Sequence, residues 1–382
     1  MVRVMKLRQY QSEAVDAIFD YWKQGGQNPI GELATGLGKS LINGSIFRRF
    51  AENWPDMRGM MLTHRKELIE QNYRALIKLF PTADAGIYSA GLKQRRHREK
   101  YIFAGIQSVW RKPQLFEGIN FIVIDECHLI SPKDASMYTS FIEAMRAAYP
   151  ELRIVGLTAT PYRLDSGPLT GEGQLFDEVV YTYNIKQGIE DGWLVPMTTA
   201  GVTKASIDLS DVAVRGGEFV AADVMRSAAD PEMLGKTVSD FLSRVIPGPA
   251  LVFCCGVDHA HDVKTLLTVA GKTSRLVSGQ TDPDERKEII AAFKRGEIDF
   301  LCNCDVLTTG FDAPNLTNII LLRPTMSASL FVQMVGRGTR LAAELASKID
   351  SYESAEERKN AIAQSSKPVC NVLDYGGNLL RL

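Results

Sequence analysis

Two short stretches carry residue types and spacings suited to phosphate chemistry. In Ala34-Thr35-Gly36-Leu37-Gly38-Lys39-Ser40 the glycines let the backbone wrap close to phosphates. The following run, with Leu41, Ile42, Ile46, Phe47 and Phe50 on its apolar positions, predicts a helix whose N-terminus aims N–H groups at an anion. Lys39 can then reach the β- and γ-phosphates, Thr35, Gly36 and Gly38 line the loop, and the Ser40 hydroxyl suits Mg²⁺. Leu33 stands where the standard pattern has glycine, so a plain glycine-rich turn stays open on this stretch alone. The second stretch is Phe121-Ile122-Val123-Ile124, a buried-strand run ending in Asp125-Glu126-Cys127-His128. Carboxylates at the C-terminal end of a parallel strand lie where such sheets bind ligands. Asp125 can hold Mg²⁺, and Glu126 can position and deprotonate an attacking water. Two surface acids in a loop is the alternative, weakened by the phosphate loop beside it.

The elements that must position these groups follow from pattern. Short apolar runs alternate with amphipathic helices, which is the mark of a parallel α/β architecture. Strands are expected at Gly59–Thr63, Tyr101–Gly105, Phe121–Ile124 and Ile154–Leu157, and again at Ala250–Cys254, Arg275–Ser278, Phe300–Asn303, Ile319–Leu322 and Val369–Leu373. Ser12 is the expected cap of a first helix ending at Gly25-Gly26, and Asp282-Pro283 of a later one closed by Gly296. The region between the two strand series has fewer apolar runs. The expected division is residues 1–185, a linking or accessory segment at 186–235, and 236–382.

Bulk properties narrow the class. A chain of 382 residues exceeds one ordinary core, and 45% hydrophobic with 23% charged residues is a globular composition. No apolar run approaches the ~18 residues of a membrane span, and residues 1–10 lack a signal-peptide core, so the cytoplasm is expected. The six cysteines form no CxxC pair and sit mostly in apolar runs, as core hydrophobes do. Net charge is −1, so any hold on nucleic acid must come from a local surface.

Taken together with seven further stretches in order, these residues resemble the DExH branch of superfamily 2 of the helicases. Leu7-Arg8-Gln9-Tyr10-Gln11 is similar to the adenine-reading Q motif, with Gln11 for the base edge and Arg8 for its face. Thr63–Leu68 resembles motif Ia, Gly105–Ser108 the strand-end contact to the nucleic-acid backbone, and Leu157–Pro161 motif III. Leu251–Phe253 resembles motif IV, and Leu307–Asp312 motif V with Gly310 and Asp312 on the nucleotide side. Gln333-Met334-Val335-Gly336-Arg337-Gly338-Thr339-Arg340 is similar to motif VI, whose Gln333, Arg337 and Arg340 serve hydrolysis. The two arginines share a face if the segment is helical. The resemblance implies two RecA-like lobes, each a parallel sheet flanked by helices, with ATP, Mg²⁺ and nucleic acid at the cleft between them. Ile87–Lys93, Val306–Pro314, Leu321–Leu341 and Val372–Asn378 further resemble the RadD-like DNA-repair helicases of bacteria and their phage-borne relatives. Those proteins continue into a cysteine-bearing region without counterpart before Leu382, so nothing is implied for it.

The resemblance implies backbone contacts at Thr63, His64, Arg65, Gln107 and Ser108 from the first lobe and Thr308 and Thr309 from the second. Any one of these hydroxyls can equally cap a helix. Lys93-Gln94-Arg95-Arg96-His97-Arg98-Glu99-Lys100 is the strongest basic run, either a phosphate-contacting surface led by Lys93, Arg95 and Arg96 or a solvated helix face. The partner expected from the resemblance is single-stranded or branched DNA, with RNA left open. A monomer on the nucleoid, working with a single-strand-binding protein or recombinase, goes with that expectation. Duplex translocation without strand separation, or an ATP-gated binding module, are the competing functions.

Overall fold

The computed structural model describes residues 6–130, 132–163, 167–199, 207–304, 306 and 313–382. The chain divides into two compact units, residues 1–184 and 185–382.

The first unit opens with α1 (Gln9–Lys23), β1 (Pro29–Leu33), α2 (Lys39–Asn53), β2 (Arg58–Thr63), α3 (Lys66–Leu79), β3 (Ala85–Ser89), β4 (Gln94–Arg95) and β5 (Tyr101–Gly105). It continues through α4 (Ile106–Val109), β6 (Ile119–Asp125), α5 (Pro132–Ala148) and β7 (Arg153–Thr158). The short pair β8 (Tyr162–Arg163) and β9 (Gly167–Pro168) and the edge strand β10 (Glu178–Tyr183) complete it. The sheet order is β10-β1-β7-β6-β2-β5-β3-β4, parallel except for the β3–β4 pair. Alternation along β6 decides where its acids go. Phe121 stacks on Phe50 of α2 at 3.9 Å, whereas Ile122 and Ile124 enter the opposite core with Tyr138 and Phe141 of α5. Asp125 has the parity of Phe121 and so belongs to the α2–α3 side. Leu33 is fully buried at the end of β1, which explains why this chain carries leucine where the phosphate-loop pattern has glycine.

The second unit begins with α6 (Ile185–Glu190), β11 (Met197–Thr199), β12 (Val214–Arg215), β13 (Glu218–Phe219), α7 (Ala221–Ser227) and α8 (Pro231–Arg244). Alternating elements follow: β14 (Ala250–Phe253), α9 (Val257–Val269), β15 (Ser274–Val277), α10 (Pro283–Lys294), β16 (Phe300–Asn303) and β17 (Asn318–Leu321). Then come α11 (Ala328–Val335), α12 (Ala343–Ala346), α13 (Ala355–Ala363), β18 (Cys370–Asp374) and α14 (Asn378–Arg381). Its sheet runs β11-β18-β17-β14-β16-β15, parallel throughout. The segment expected as a linker packs with this unit. Strand β11 pairs with β18, and Glu218 accepts from Met326 N–H at 2.9 Å.

The first helix begins three residues before its expected cap. The Arg8 N–H donates to Gln11 Oε1 and the Gln11 N–H to the Arg8 carbonyl, which closes the first turn ahead of Ser12. Asp282 does cap α10, accepting from the N–H groups of Asp284 and Glu285. All six cysteines are buried. No described helix is long and apolar enough to cross a membrane.

Candidate active site

The chain leaves β1 and enters α2 through two left-handed glycines, Gly36 at φ +91° and Gly38 at φ +78°. A Cβ on Gly38 would lie 2.7 Å from Gln11 Nε2, so glycine is needed both for the turn and for the approach. Gln11 is buried and its amide is engaged at both ends. Oε1 accepts from Arg8 N–H at 3.0 Å, and Nε2 donates to the Leu37 carbonyl at 3.1 Å. Tyr10 donates its hydroxyl to the same carbonyl at 3.0 Å and stacks on Tyr183, while an Arg8 guanidinium nitrogen lies 3.4 Å from that hydroxyl. The residues that resemble an adenine reader therefore also shape the phosphate loop.

Lys39 Nζ lies 3.3 Å from Glu126 Oε1 and donates to the Leu33 carbonyl at 3.2 Å. Glu126 adopts φ +52°, a left-handed conformation that costs a non-glycine residue roughly 1–2 kcal/mol, at the point where the chain leaves β6. Asp125 is buried. Its Oδ2 accepts from Asn72 Nδ2 at 2.6 Å and its Oδ1 from the Glu126 N–H at 3.0 Å. Asn72 in turn accepts from Asn43 Nδ2 at 3.0 Å, so α2, α3 and β6 meet in one buried polar chain. Burial, then the neighbouring Glu126 charge, push the Asp125 carboxyl up to about 6, against the Lys39 cation and the Asn72 hydrogen bond. His128 Nδ1 is 2.7 Å from Thr158 Oγ1 and 3.5 Å from Glu126 Oε2. The Thr158 hydroxyl donates to the Thr160 carbonyl, so the proton between histidine and threonine sits on Nδ1. This chain joins the ends of β6 and β7, the acid motif and motif III.

Ser40 Oγ accepts from Gln71 Nε2 at 3.0 Å. The donor set of Ser40 hydroxyl and Asp125 carboxylate is all oxygen, which suits Mg²⁺ held together with phosphate oxygens. Lys39 and the first N–H groups of α2 supply the complement to the phosphates themselves. Thr35 is buried within the loop. Sequence reasoning missed Asn72, Asn43 and Gln71. The signal was there for Asn72, a polar residue in the buried stripe Leu68, Ile69, Asn72, Leu76 and Leu79.

In the second unit, α11 ends at Val335 and residues 336–340 form a turn. Arg337 and Arg340 therefore leave the helix, and the shared helical face expected from their spacing does not form. Gly338 explains the course of this turn, since a Cβ there would lie 2.3 Å from Cys370 Sγ of β18. The Thr339 carbonyl accepts from Val195 N–H at 2.7 Å. Gln333 and Arg337 are buried, and Gln333 Nε2 donates to Ser329 Oγ at 3.2 Å. Thr308, Thr309, Gly310 and Asp312 lie outside the described residues.

The expected nucleic-acid contacts of the first unit separate. Thr63 is fully buried and presents nothing to a ligand in this state. His64 and Arg65 are half-buried where β2 meets α3. Gln107 is exposed, and Ser108 Oγ accepts from Ala90 N–H at 2.9 Å. The basic run is not a helix: Gln94 and Arg95 form β4, and the chain then loops back to β5. Arg96 is held by Glu99 at 2.5 Å. Lys93 and Arg95 are exposed, and the Arg95 guanidinium lies over the Tyr88 ring at 5.3 Å. Lys112 approaches the same ring at 6.0 Å, and its neighbour Arg111 lies over Trp110 at 4.4 Å. Arg111 and Lys112 are exposed and were missed, although only Val109 and Trp110 separate them from the Gln107-Ser108 motif.

Fold and site together define a phosphate-loop nucleotide-binding protein of helicase architecture. Residues 4–163 match the family described as type III restriction enzyme, res subunit, and residues 234–342 match the helicase conserved C-terminal domain. The ATP-dependent helicase IRC3 of Saccharomyces cerevisiae is 32% identical over 349 residues, covering 88% of this chain and 49% of the yeast protein. The type I restriction enzyme EcoAI endonuclease subunit of Escherichia coli is 25% identical, covering 87% of this chain and 44% of the subunit. A fragment structure of a type I restriction enzyme HsdR subunit from Vibrio vulnificus YJ016 superposes with TM-score 0.68 at 23% identity, over 97% of this chain and 64% of that one. The chain belongs to superfamily 2 of the helicases. It spans about half the length of the curated relatives it matches.

Burial raises the Asp125 pKa, so with no cation bound its carboxylate form, the form that could hold one, is lost as pH falls through about 6. Mg²⁺-dependent ADP binding, followed by calorimetry, should weaken as pH falls through about 6. Asn72→Leu removes a hydrogen bond that favours the carboxylate, so the weakening should begin at higher pH. An unmoved midpoint would remove Asp125 from the metal side of the site.

Proposed function

We propose that this chain is an ATP-dependent motor on DNA that hydrolyses ATP in its first unit with help from the second. The observation that carries the reading is the 3.3 Å contact of Lys39 with Glu126 beside buried Asp125, at the mouth of a glycine loop opening α2. Lys39 and the α2 N-terminus bind the triphosphate, Ser40 and Asp125 hold Mg²⁺, and Glu126 takes the proton of the attacking water. Bound Mg²⁺ neutralises charge on the phosphates, and ATP draws Lys39 away from Glu126, freeing the carboxylate for its base role. Arg337 and Arg340 stabilise the transferring phosphoryl group when the two units close on ATP.

The partner is DNA, a reading supported by the likeness to restriction-enzyme subunits. The contact surface is His64, Arg65, Gln107 and Ser108 with the cations Lys93, Arg95, Arg111 and Lys112. The last three stand within reach of two aromatic rings without a carboxylate partner among the described residues, a costly concentration of like charge that phosphates would relieve. Remodelling of branched DNA in repair or recombination is the biological role we favour, on the likeness of the motifs at 87–93 and 372–378 to RadD-like helicases. A nucleoid location and a single-strand-binding or recombinase partner belong to that role. The restriction-enzyme likeness favours duplex translocation as a second reading, and a strand-displacement assay separates the two.

Charge-reversing Arg95, Arg111 and Lys112 together should weaken DNA binding alike on all sequences and lower the salt slope by about 0.9 for each phosphate no longer neutralised. ATP turnover without DNA should stay as it was. An unchanged slope would return this surface to the solvent. Arg337→Ala should lower kcat on the order of 10³-fold with a much smaller change in ATP affinity, and DNA should no longer stimulate turnover. Arg337→Lys should rescue weakly, because a point charge does not reproduce the planar fork. Normal hydrolysis that still responds to DNA in Arg337→Ala would overturn the two-unit mechanism.

A further inference from the structure

Lys367 is among the most completely buried side chains of the second unit, at 1% exposure. It lies between α13 and β18, outside every stretch that resembles a helicase motif. An ammonium taken out of water costs several kcal/mol unless hydrogen bonds replace its hydration. Here Nζ donates to the Arg340 carbonyl at 2.7 Å and to the Pro314 carbonyl at 3.1 Å. Pro314 lies two residues beyond Leu307–Asp312, the stretch that resembles motif V, and Arg340 closes motif VI. One buried cation therefore ties together the ends of the two segments that carry the nucleotide-side residues of this unit.

The surroundings fix the lysine in turn. Lys367 N–H donates to Ser365 Oγ at 3.2 Å, and both the N–H and the hydroxyl of Ser366 donate to Glu344 Oε1 of α12, at 3.1 and 2.5 Å. Helix α12 begins three residues after Arg340, so the 365–367 segment grips the motif VI turn from both its carbonyl and its exit. That turn needs an external anchor. Helix α11 stops at Val335; the N–H groups of Arg337 and Gly338 still donate back to the Met334 and Val335 carbonyls, but the turn that follows is held from outside, its Thr339 carbonyl accepting from Val195 N–H at 2.7 Å.

We propose that Lys367 is a positioning residue for hydrolysis, which holds the backbone of Arg340 against the end of motif V so that the motif VI arginines start from a fixed place. The proposal rests on the reading that Arg337 and Arg340 serve the transferring phosphate. Misplacing a stabilising group by about 1 Å is worth about 10²-fold in rate, so loss of the anchor acts on kcat rather than on the binding of ATP. A lysine that merely filled the core would lower stability without selecting one step.

The test is a cycle of four proteins: wild type, Lys367→Met, Arg340→Ala and the double variant, with DNA-stimulated kcat, KM for ATP and thermal unfolding read on each. Lys367→Met keeps the length of the side chain and removes its donors. It should lower kcat about 10- to 100-fold with KM for ATP within about twofold, and lower it little further in the Arg340→Ala background. Lys367→Arg, which keeps donors for both carbonyls, should recover part of the loss. If Lys367→Met does not fold, Lys367→Gln is read in the same two backgrounds. Unchanged kcat in the Lys367 variant, or the same fold loss with and without Arg340, would overturn the positioning role. Arg340→Ala that hydrolyses ATP normally would instead overturn the reading of the arginines themselves.

Discussion

Two carboxylates and a lysine share the end of β6, and much of the first unit is arranged around that fact. Asp125 is buried, and a buried carboxylate persists only where donors and cations offset its lost hydration. Asn72 from α3 supplies the donor, Lys39 from α2 the cation, and Asn43 fixes Asn72. These contacts tie both helices to the central strand on one face of the sheet. The same arrangement leaves Glu126 in a left-handed conformation, with one oxygen against Lys39 and the other beside His128. Strain and ion pairing concentrated at one strand end are what a site built to accept a polyanion is expected to show.

The link from this cluster to the rest of the chain runs through hydroxyls. His128 lies 3.5 Å from Glu126 and donates to Thr158, and Thr158 donates to the Thr160 carbonyl, so a chain of contacts runs from Glu126 to the end of β7. The second unit solves a different problem. Its arginines sit on a turn rather than a helix, so their placement depends on packing against β18 and on carbonyl anchors such as that of Lys367. Rigid placement of flexible arginines is then a property of the surrounding shell rather than of the motif itself.

Most of the fold was legible because parallel strands buried on both faces read as continuous apolar runs. Tyr101–Gly105 and Phe300–Asn303 were placed to the residue, and the other expected strands to within two. Of the strands overlooked, Ala85–Ser89 has only Ile87 and Tyr88 as large apolar residues, and Glu178–Tyr183 lies half-exposed at the sheet edge, where the run dissolves. The first helix start was misplaced because a Gln11 side chain, rather than a serine cap, closes its first turn. Arg337 and Arg340 were expected on one helical face, and the glycines at 336 and 338 end that helix too early. Lys367 escaped notice because Ser365-Ser366-Lys367-Pro368 reads as a surface loop, and Asn72 because a polar residue in an apolar stripe signals burial without naming its partner. The structure alone shows what each one holds.

In the mechanism proposed, Glu126 restrains Lys39 until ATP arrives and then serves as base. Glu126→Gln removes the charge that holds the lysine and the basicity that takes the proton, in nearly the same volume. Binding of a fluorescent ATP analogue and single-turnover hydrolysis, measured on the same preparation, read the two consequences separately. The account predicts nucleotide affinity equal to or tighter than wild type, with hydrolysis reduced at least 10²-fold, as loss of a positioned base implies. Weakened binding with near-normal turnover would contradict it.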